Sequence, residues 1–229
     1  MGIEDRFIEV TKKDRSTVTV IKARDDNTGH SVIDAFLDTT KKEYEFKGTR
    51  LEKFMLNGRK IILVTAHRRE NIGDPIMDIC RAIKEIALKF RREVSFVYPV
   101  HLNPHIQKPV YSLLSDLNNV LLVEPMEYLP FVHLIRKSHF ILTDSGGLQE
   151  EAPSLGKPVL VMRRTTERPE GVQAGCVEVI GTETRQIVAK VSQLLEDKKK
   201  YNQMSQAKNP YGDGKAAERI VRRILEEKL

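Results

Sequence analysis

The sequence predicts an α/β fold, a doubly wound parallel sheet. Three observations carry the prediction. Short, unbroken apolar runs of strand length recur from residue 60 onward, helix-length segments separate most of them, and a polar, often basic stretch follows most runs. Strands buried on both faces read as continuous Val/Ile/Leu runs, and strands alternating with helices assemble into parallel sheets.

In chain order, Ser16–Ile21 is strand-like but surrounded by charge, and residues 1–27 read as a poorly specified lead-in. Ser31 starts a helix with Val32, Ile33, Ala35, Phe36 and Leu37 on its apolar face, and Gly48 to Gly58 is a connector, so 28–58 is a helix plus connector. Ile61–Val64 is the first buried strand, and Ile76–Arg91 a helix. Val94–Tyr98 is a strand closed by Pro99, Pro104–Leu117 a helix, Val120–Val123 a strand and Tyr128–Lys137 a helix. Phe140–Thr143 is a strand, Gly147–Leu155 a helix, and Pro158–Val161 and Cys176–Ile180 are the last two strands. Helices fit Thr184–Glu196 and Ala216–Glu227, so 59–229 forms one Rossmann-like domain.

Composition narrows the class. Of 229 residues, 40% are hydrophobic and 31% charged, the balance of an ordinary globular protein. No apolar run reaches membrane-span length and the N-terminus shows no signal-peptide core, which favours a cytoplasmic protein. Two cysteines, Cys80 and Cys176, are too few for a disulfide framework and lack metal-ligand spacing. The net charge of +6 sits mainly after residue 184, on helices where it reads as a solvated face. With no tryptophan and no zinc-finger spacing, a nucleic-acid role is disfavoured.

Ligands of such sheets lie outside the carboxyl ends of the strands, so the segments after the strands carry the functional reading. Asp144-Ser145-Gly146-Gly147 joins a strand to a helix; its glycines allow close backbone approach, its helix N-terminus suits an anion, and a simple helix cap is an equal reading. Glu150-Glu151 follow, where a carboxylate accepts bonds from ribose hydroxyls or merely faces solvent. His67-Arg68-Arg69 suits a pyrophosphate, as does the second basic loop of Arg163, Arg164 and Arg168; surface charge is the alternative for both. His101 begins another loop on this edge, whereas His30, His105, His133 and His139 read as structural. Asn209–Gly214 is turn-rich, and turn chemistry explains it fully, although closure over a ligand is a second reading. There is neither GxGxxG after the first strand nor GxxxxGK[ST], which disfavours an ordinary dinucleotide site and excludes a P-loop NTPase. The residues alone therefore indicate a domain binding a phosphorylated or diphosphate-linked ligand.

Five segments in this order, VTAHRREN from Val64, YPVHLNP from Tyr98, TDSGGLQEEAP from Thr143, TTERPE from Thr165 and NPYGDG from Asn209, closely resemble the non-hydrolysing UDP-N-acetylglucosamine 2-epimerases. Thr28–Ala35 is similar to that family's TGNTVIDA, with His30 and Ser31 as departures, so the resemblance runs from about Thr28 to the C-terminus. It implies a glycosyltransferase-B arrangement of two Rossmann-like domains, of which this chain holds the C-terminal half. It also implies an isomerase serving cell-surface polysaccharide precursors, interconverting UDP-GlcNAc and UDP-ManNAc by eliminating UDP to 2-acetamidoglucal and adding it back.

Carried over residue by residue, the resemblance gives His67 a catalytic role at the departing diphosphate. It assigns phosphate to Ser145, Gly146 and Gly147, ribose to Glu151, diphosphate to Arg168, and the uracil region to Phe131 and the Met126 backbone. Arg69 and His101 match positions that bind a second, activating UDP-GlcNAc in some members. No cofactor or metal is implied. The family's first domain, which carries its acid–base carboxylates, is not recognisable in the 27 residues before Thr28. The expectation is a UDP-binding half that is inactive alone, its catalytic partner domain either supplied by a separate N-terminal-domain protein or lost, and prone to self-associate through an exposed cleft face. The alternative is a free-standing UDP or UDP-sugar binding module with a regulatory role.

Overall fold

The computed structural model describes residues 8–11, 17–20, 28–55 and 58–226. Strands β1 (Ile8–Thr11) and β2 (Thr17–Val20) pair antiparallel as a separate hairpin. Thr17–Val20 falls within the strand-like segment expected at 16–21; Ser16, Ile21 and most of the remaining lead-in lie outside the described residues.

Six strands form the central sheet: β3 (Lys60–Thr65), β4 (Val94–Pro99), β5 (Val120–Val123), β6 (Phe140–Thr143), β7 (Val159–Val161) and β8 (Val177–Val179). All pair in parallel, in the order β5-β4-β3-β6-β7-β8. The chain winds outward from β3 through β4 to β5, then returns to β6 on the other side of β3 and winds the opposite way. The strand order therefore reverses between β3 and β6. The carboxyl ends of those two strands flank the crevice in which such folds bind ligands.

The apolar runs are unbroken because both sheet faces are covered, and alternate residues serve opposite layers. Ile62, Val64, Phe96, Phe140 and Leu142 pack with α3 (Asp74–Lys89), α4 (Pro104–Leu114) and α8 (Thr184–Glu196). Their neighbours Ile61, Leu63, Val97 and Ile141 pack on the other face with α1 (Ser31–Thr40), α5 (Tyr128–Lys137) and α6 (Gly146–Glu151). Each fully buried Ile, Leu or Phe stabilises the fold by about 1.5–3 kcal/mol.

Four local features depart from the sequence expectation. The connector contains α2 (Arg50–Met55), begun by a variant of the capping box: Thr49 Oγ1 accepts from Glu52 N, and Glu52 Oε2 accepts from Gly48 N, one residue ahead of the cap. The helix expected over 147–155 is α-helical only to Glu151 and continues as a 3₁₀ turn over Ala152–Leu155, because Pro153 has no N–H to extend the ladder. A short helix, α7 (Pro169–Ala174), lies between the last two strands, with proline at its first position and Gly175 in the left-handed conformation after its end. Helix α9 (Lys198–Ser205) follows α8, its start capped by the Asp197 side chain accepting from Lys200 N. Helix α10 (Ala216–Glu226) closes the described chain; Glu227, placed at its end by the sequence, lies outside the described residues. No described helix is long and apolar enough to cross a membrane.

Candidate functional site

The site is built on the facing ends of β3 and β6. Thr65 and Thr143 are in register, and their buried hydroxyls lie 2.6 Å apart. Thr143 Oγ1 also accepts from Ser145 N, which fixes the turn into α6. Between them, Asp144 is completely buried. Its Oδ2 accepts from His67 N and Arg68 N, both at 2.8 Å, and from Asn71 Nδ2 at 3.0 Å. Tyr98, buried on β4, donates its hydroxyl to Ala66 O at 3.0 Å. The loop after β3 is thus held from two neighbouring strands, and His67 is presented on a fixed backbone. Its ring stacks on that of His101, with centroids 5.5 Å apart and planes 13° apart.

Ser145 is the N-cap residue of α6, yet its hydroxyl makes no capping bond to the first-turn amides. A Cβ on Gly147 would meet nothing nearer than Ser145 Oγ at 3.9 Å, so that face is open. Gly146 is different: a Cβ there would lie 2.7 Å from Glu167 Oε1 and 3.2 Å from Arg68 Nη2. Glycine at 146 is what lets an Arg–Glu pair lie against the start of α6. Glu167 accepts from Arg68 Nη2 at 3.0 Å and pairs also with Arg163, which itself pairs with Glu70 at 2.7 Å. Partial burial raises the Glu167 carboxyl, but its own backbone N–H and the two arginines outweigh this and hold it below the ordinary carboxylate range.

The two adjacent glutamates, alike in sequence, take different roles. Glu150 is buried and pairs with Arg168 Nε through one oxygen and with His30 Nδ1, at 3.0 Å, through the other. The hydrogen bond that Arg168 donates to Glu150 is the main reason its guanidinium sits above its ordinary pKa. Glu151 accepts instead from the Tyr128 hydroxyl at 2.9 Å, and burial raises its carboxyl. Tyr128 begins α5 directly after the loop that carries Met126, and Phe131 lies one turn on; both Met126 and Phe131 are half-buried against the second apolar layer.

The Asn209–Gly214 segment is a strut. Tyr211 donates its hydroxyl to Arg168 O at 3.1 Å and accepts from Gly171 N at 2.9 Å, Asn209 Nδ2 donates to Glu150 O at 3.0 Å, and Tyr211 O accepts from His30 N at 2.6 Å. It holds Arg168 and Glu150 by their backbones. Gly171 is required at the junction, because a Cβ would meet Val177 Cγ2 at 2.7 Å and the Tyr211 hydroxyl at 2.8 Å.

The structure therefore gathers His67, Ser145, Gly146 and Gly147 at the crevice, joins Arg168 to the same helix through Glu150, and seats Glu151 beside α5. Arg69 is exposed on the 3₁₀ turn Arg69–Asn71, and His101 is exposed with its Nδ1 accepting from Asn103 N. Motif reading gave Tyr128 and Glu167 no role, took Asp144 only as part of a turn, and offered Arg68 and Arg163 to a pyrophosphate, whereas here both arginines pair with Glu167. His30, read as structural, belongs to the site's supporting layer. His139 is structural in the expected sense: it stacks on Tyr201, and burial followed by Lys60 and Lys157 lowers its imidazole to about 4. Among the described residues no cluster of His, Cys, Asp or Glu is placed to hold a metal ion.

A sequence profile of the UDP-N-acetylglucosamine 2-epimerase family matches residues 12–225. The chain belongs to this family. The match begins ahead of Thr28, the start suggested by the motifs, and runs through the whole central sheet. An epimerase from Neisseria meningitidis is 50% identical over 88% of this chain and 55% of its own length. The crystal structure of a Neisseria meningitidis UDP-GlcNAc 2-epimerase bound to UDP-GlcNAc superposes with a TM-score of 0.78 at 50% identity, over 87% of this chain and 54% of that one. The chain spans about half the length of the curated epimerases it matches. At the level of fold alone, 14% identity and a TM-score of 0.52 relate it to the C-terminal domain of a group 1 glycosyltransferase from Francisella tularensis, of which it covers 93%. The fold is thus the doubly wound sheet expected of one half of a glycosyltransferase-B arrangement.

Proposed function

We propose that this chain supplies the UDP-holding half of a UDP-GlcNAc 2-epimerase, with His67 at the diphosphate and Arg168, Ser145, Gly146 and Gly147 around it. The observation that carries the reading is the placement of His67, Ser145, Gly146 and Gly147 where the strand order reverses between β3 and β6, with Arg168 tied to the same helix through Glu150 and the Ser145 hydroxyl making no capping bond. Expelling UDP from C1 builds negative charge on the diphosphate, and a cation with oriented amides placed there in advance stabilises it. Glu151, seated by Tyr128, serves the ribose, and Met126 and Phe131 flank the uracil. Removing the C2 proton needs a base within hydrogen-bond reach, and in this reading that base comes from the part of the relatives' length beyond the matched segment.

Binding and turnover test different parts of the reading. UDP added to the chain should give a saturable calorimetric signal that uridine does not reproduce, and Glu151→Ala should weaken it about tenfold, the loss of one charge-assisted hydrogen bond. Unchanged affinity in both Glu151→Ala and Arg168→Ala would sink the site assignment. UDP-ManNAc formation is expected only when an N-terminal-domain protein is added; turnover by the purified chain alone would overturn the division of labour, and UDP binding that never leads to turnover would favour a stand-alone binding module. The reading places the protein in the cytoplasm and includes self-association. Ile220, Val221, Ile224 and Leu225 on α10 support the latter, being exposed large apolar side chains on one helix. Light scattering should give at least a dimer, and a monomer at all concentrations would remove this part.

A further inference from the structure

We propose that Asp144 is the positioning residue of His67, holding a proton on its Nδ1 and thereby offering Nε2 to the crevice; the inference rests on the proposed UDP site.

Asp144 is fully buried, and its two oxygens are used unequally. Oδ2 accepts three N–H bonds from the loop after β3, enough to explain a purely structural carboxylate. Oδ1 accepts none among the described residues, although it is buried as well. A buried carboxylate oxygen without a donor is unfavourable, so the group facing it matters. That group is the ring of His67, whose Nδ1 lies 3.7 Å from Oδ1. The distance is just beyond hydrogen-bond contact, and such bonds are often long before the ligand is in place and tighten once it is bound.

The rest of the loop is arranged so that only the ring has to move. His67 N and Arg68 N are fixed on Oδ2, and the preceding carbonyl of Ala66 is held by Tyr98. The partner of one imidazole nitrogen decides which nitrogen carries the proton in the neutral ring. A carboxylate can only accept, so Nδ1 keeps its hydrogen, and Nε2 is the nitrogen that takes up a second proton and, carrying it, donates to a diphosphate. His101 stacks on the face of the ring and so does not compete for Nδ1; its own Nδ1 accepts from Asn103 N. The Arg68 side chain is turned to Glu167.

The test reads the ring nitrogens of His67 by NMR in the chain without ligand, at alkaline pH where imidazoles are neutral, with His67→Ala to assign the signals. The wild-type ring is expected as the Nδ1–H tautomer. Asp144→Asn keeps a carbonyl oxygen for the three loop donors and turns an N–H toward Nδ1, so His67 should change to the Nε2–H tautomer. A merely structural aspartate would leave the tautomer unmoved. An Nε2–H ring in the wild type, or the same tautomer in wild type and Asp144→Asn, overturns the proposal. If Asp144→Asn does not fold, the wild-type tautomer decides by itself, and His101→Ala should leave it unchanged. A UDP titration on the same samples keeps the two readings apart. An Nδ1–H ring without UDP binding sinks the nucleotide site and leaves the Asp144–His67 pairing; UDP binding to a wild-type Nε2–H ring does the reverse.

Discussion

Replacing Arg168 with alanine is expected to weaken UDP binding by about 10²-fold, on the order of 3 kcal/mol, in isothermal titration calorimetry. Two effects act in the same direction. The variant removes the guanidinium proposed for the diphosphate, a group that pairs with phosphate through a planar fork of donors. It also strands Glu150, whose buried carboxylate would keep only His30 as a partner and would face an incoming dianion with its charge uncompensated. These effects separate experimentally. Arg168→Lys keeps the charge and loses the fork, so an intermediate loss is expected. Adding Glu150→Gln to Arg168→Ala removes the stranded charge and should restore thermal stability and part of the affinity, leaving the loss that belongs to the guanidinium itself. Wild-type affinity in Arg168→Ala would show that the loop carrying TTERPE does not touch the nucleotide.

The second large effect concerns the sheet that holds the site. Phe96→Ala should destabilise the fold by about 4 kcal/mol, within the range of about 3–5 kcal/mol for aromatic truncation in cores. Phe96 is fully buried on β4, in register with Ile62 of β3 and Val120 of β5, beneath the layer of α3 and α4. Paired strands on both sides limit collapse into the void, which favours the upper part of the range. For a chain of this size about 1 kcal/mol moves the melting temperature by roughly 2–4 °C, so a drop of roughly 8–16 °C is expected by differential scanning calorimetry. Urea titration should show a lower midpoint with an unchanged slope. Phe96 lies mid-strand, away from the carboxyl edge, and UDP affinity of the folded variant should stay at the wild-type value. A melting temperature within 2–3 °C of wild type would mean that β4 repacks, and about 1 kcal/mol would then be the ceiling on its role.

Both experiments depend on contacts of different sequence range, and the two ranges were legible to different degrees. The strands were legible because burial on both faces leaves an unbroken apolar run: Ile61–Val64, Val120–Val123 and Phe140–Thr143 needed no partner to be recognised. The short helices were legible in principle, since Thr49-Arg50-Leu51-Glu52 spells the capping box of α2, and Pro169 with Gly175 brackets α7. They are weak signals because a six-residue helix has too few turns to show a periodic apolar face. Among the proposed site residues, His67, Ser145, Gly146, Gly147 and Arg168 lie in polar segments that follow buried strands, but local reasoning left a helix cap or surface charge as open readings, and only the order of the motifs, through the family resemblance, chose between them.

The carboxylates were not legible. Nothing local distinguishes Glu150 from Glu151, or marks Asp144 as more than a turn residue. Their roles are set by partners brought in from afar: His30 is 120 positions from Glu150, Tyr128 is 23 from Glu151, and the backbone held by Asp144 is 76–77 away. A carboxylate in water has the same solvation wherever it sits in the chain. What changes it is the loss of that water and the donors that replace it, and only folding supplies both. By itself, then, the sequence determined the parallel sheet, the polar segments at the carboxyl ends of its strands and the family to which the chain belongs, because periodicity and motif order need no tertiary contacts to be read. The tertiary structure alone decided which acid pairs with an arginine, which with a tyrosine and which lies beside a histidine, because burial and partner geometry exist only once the chain has folded.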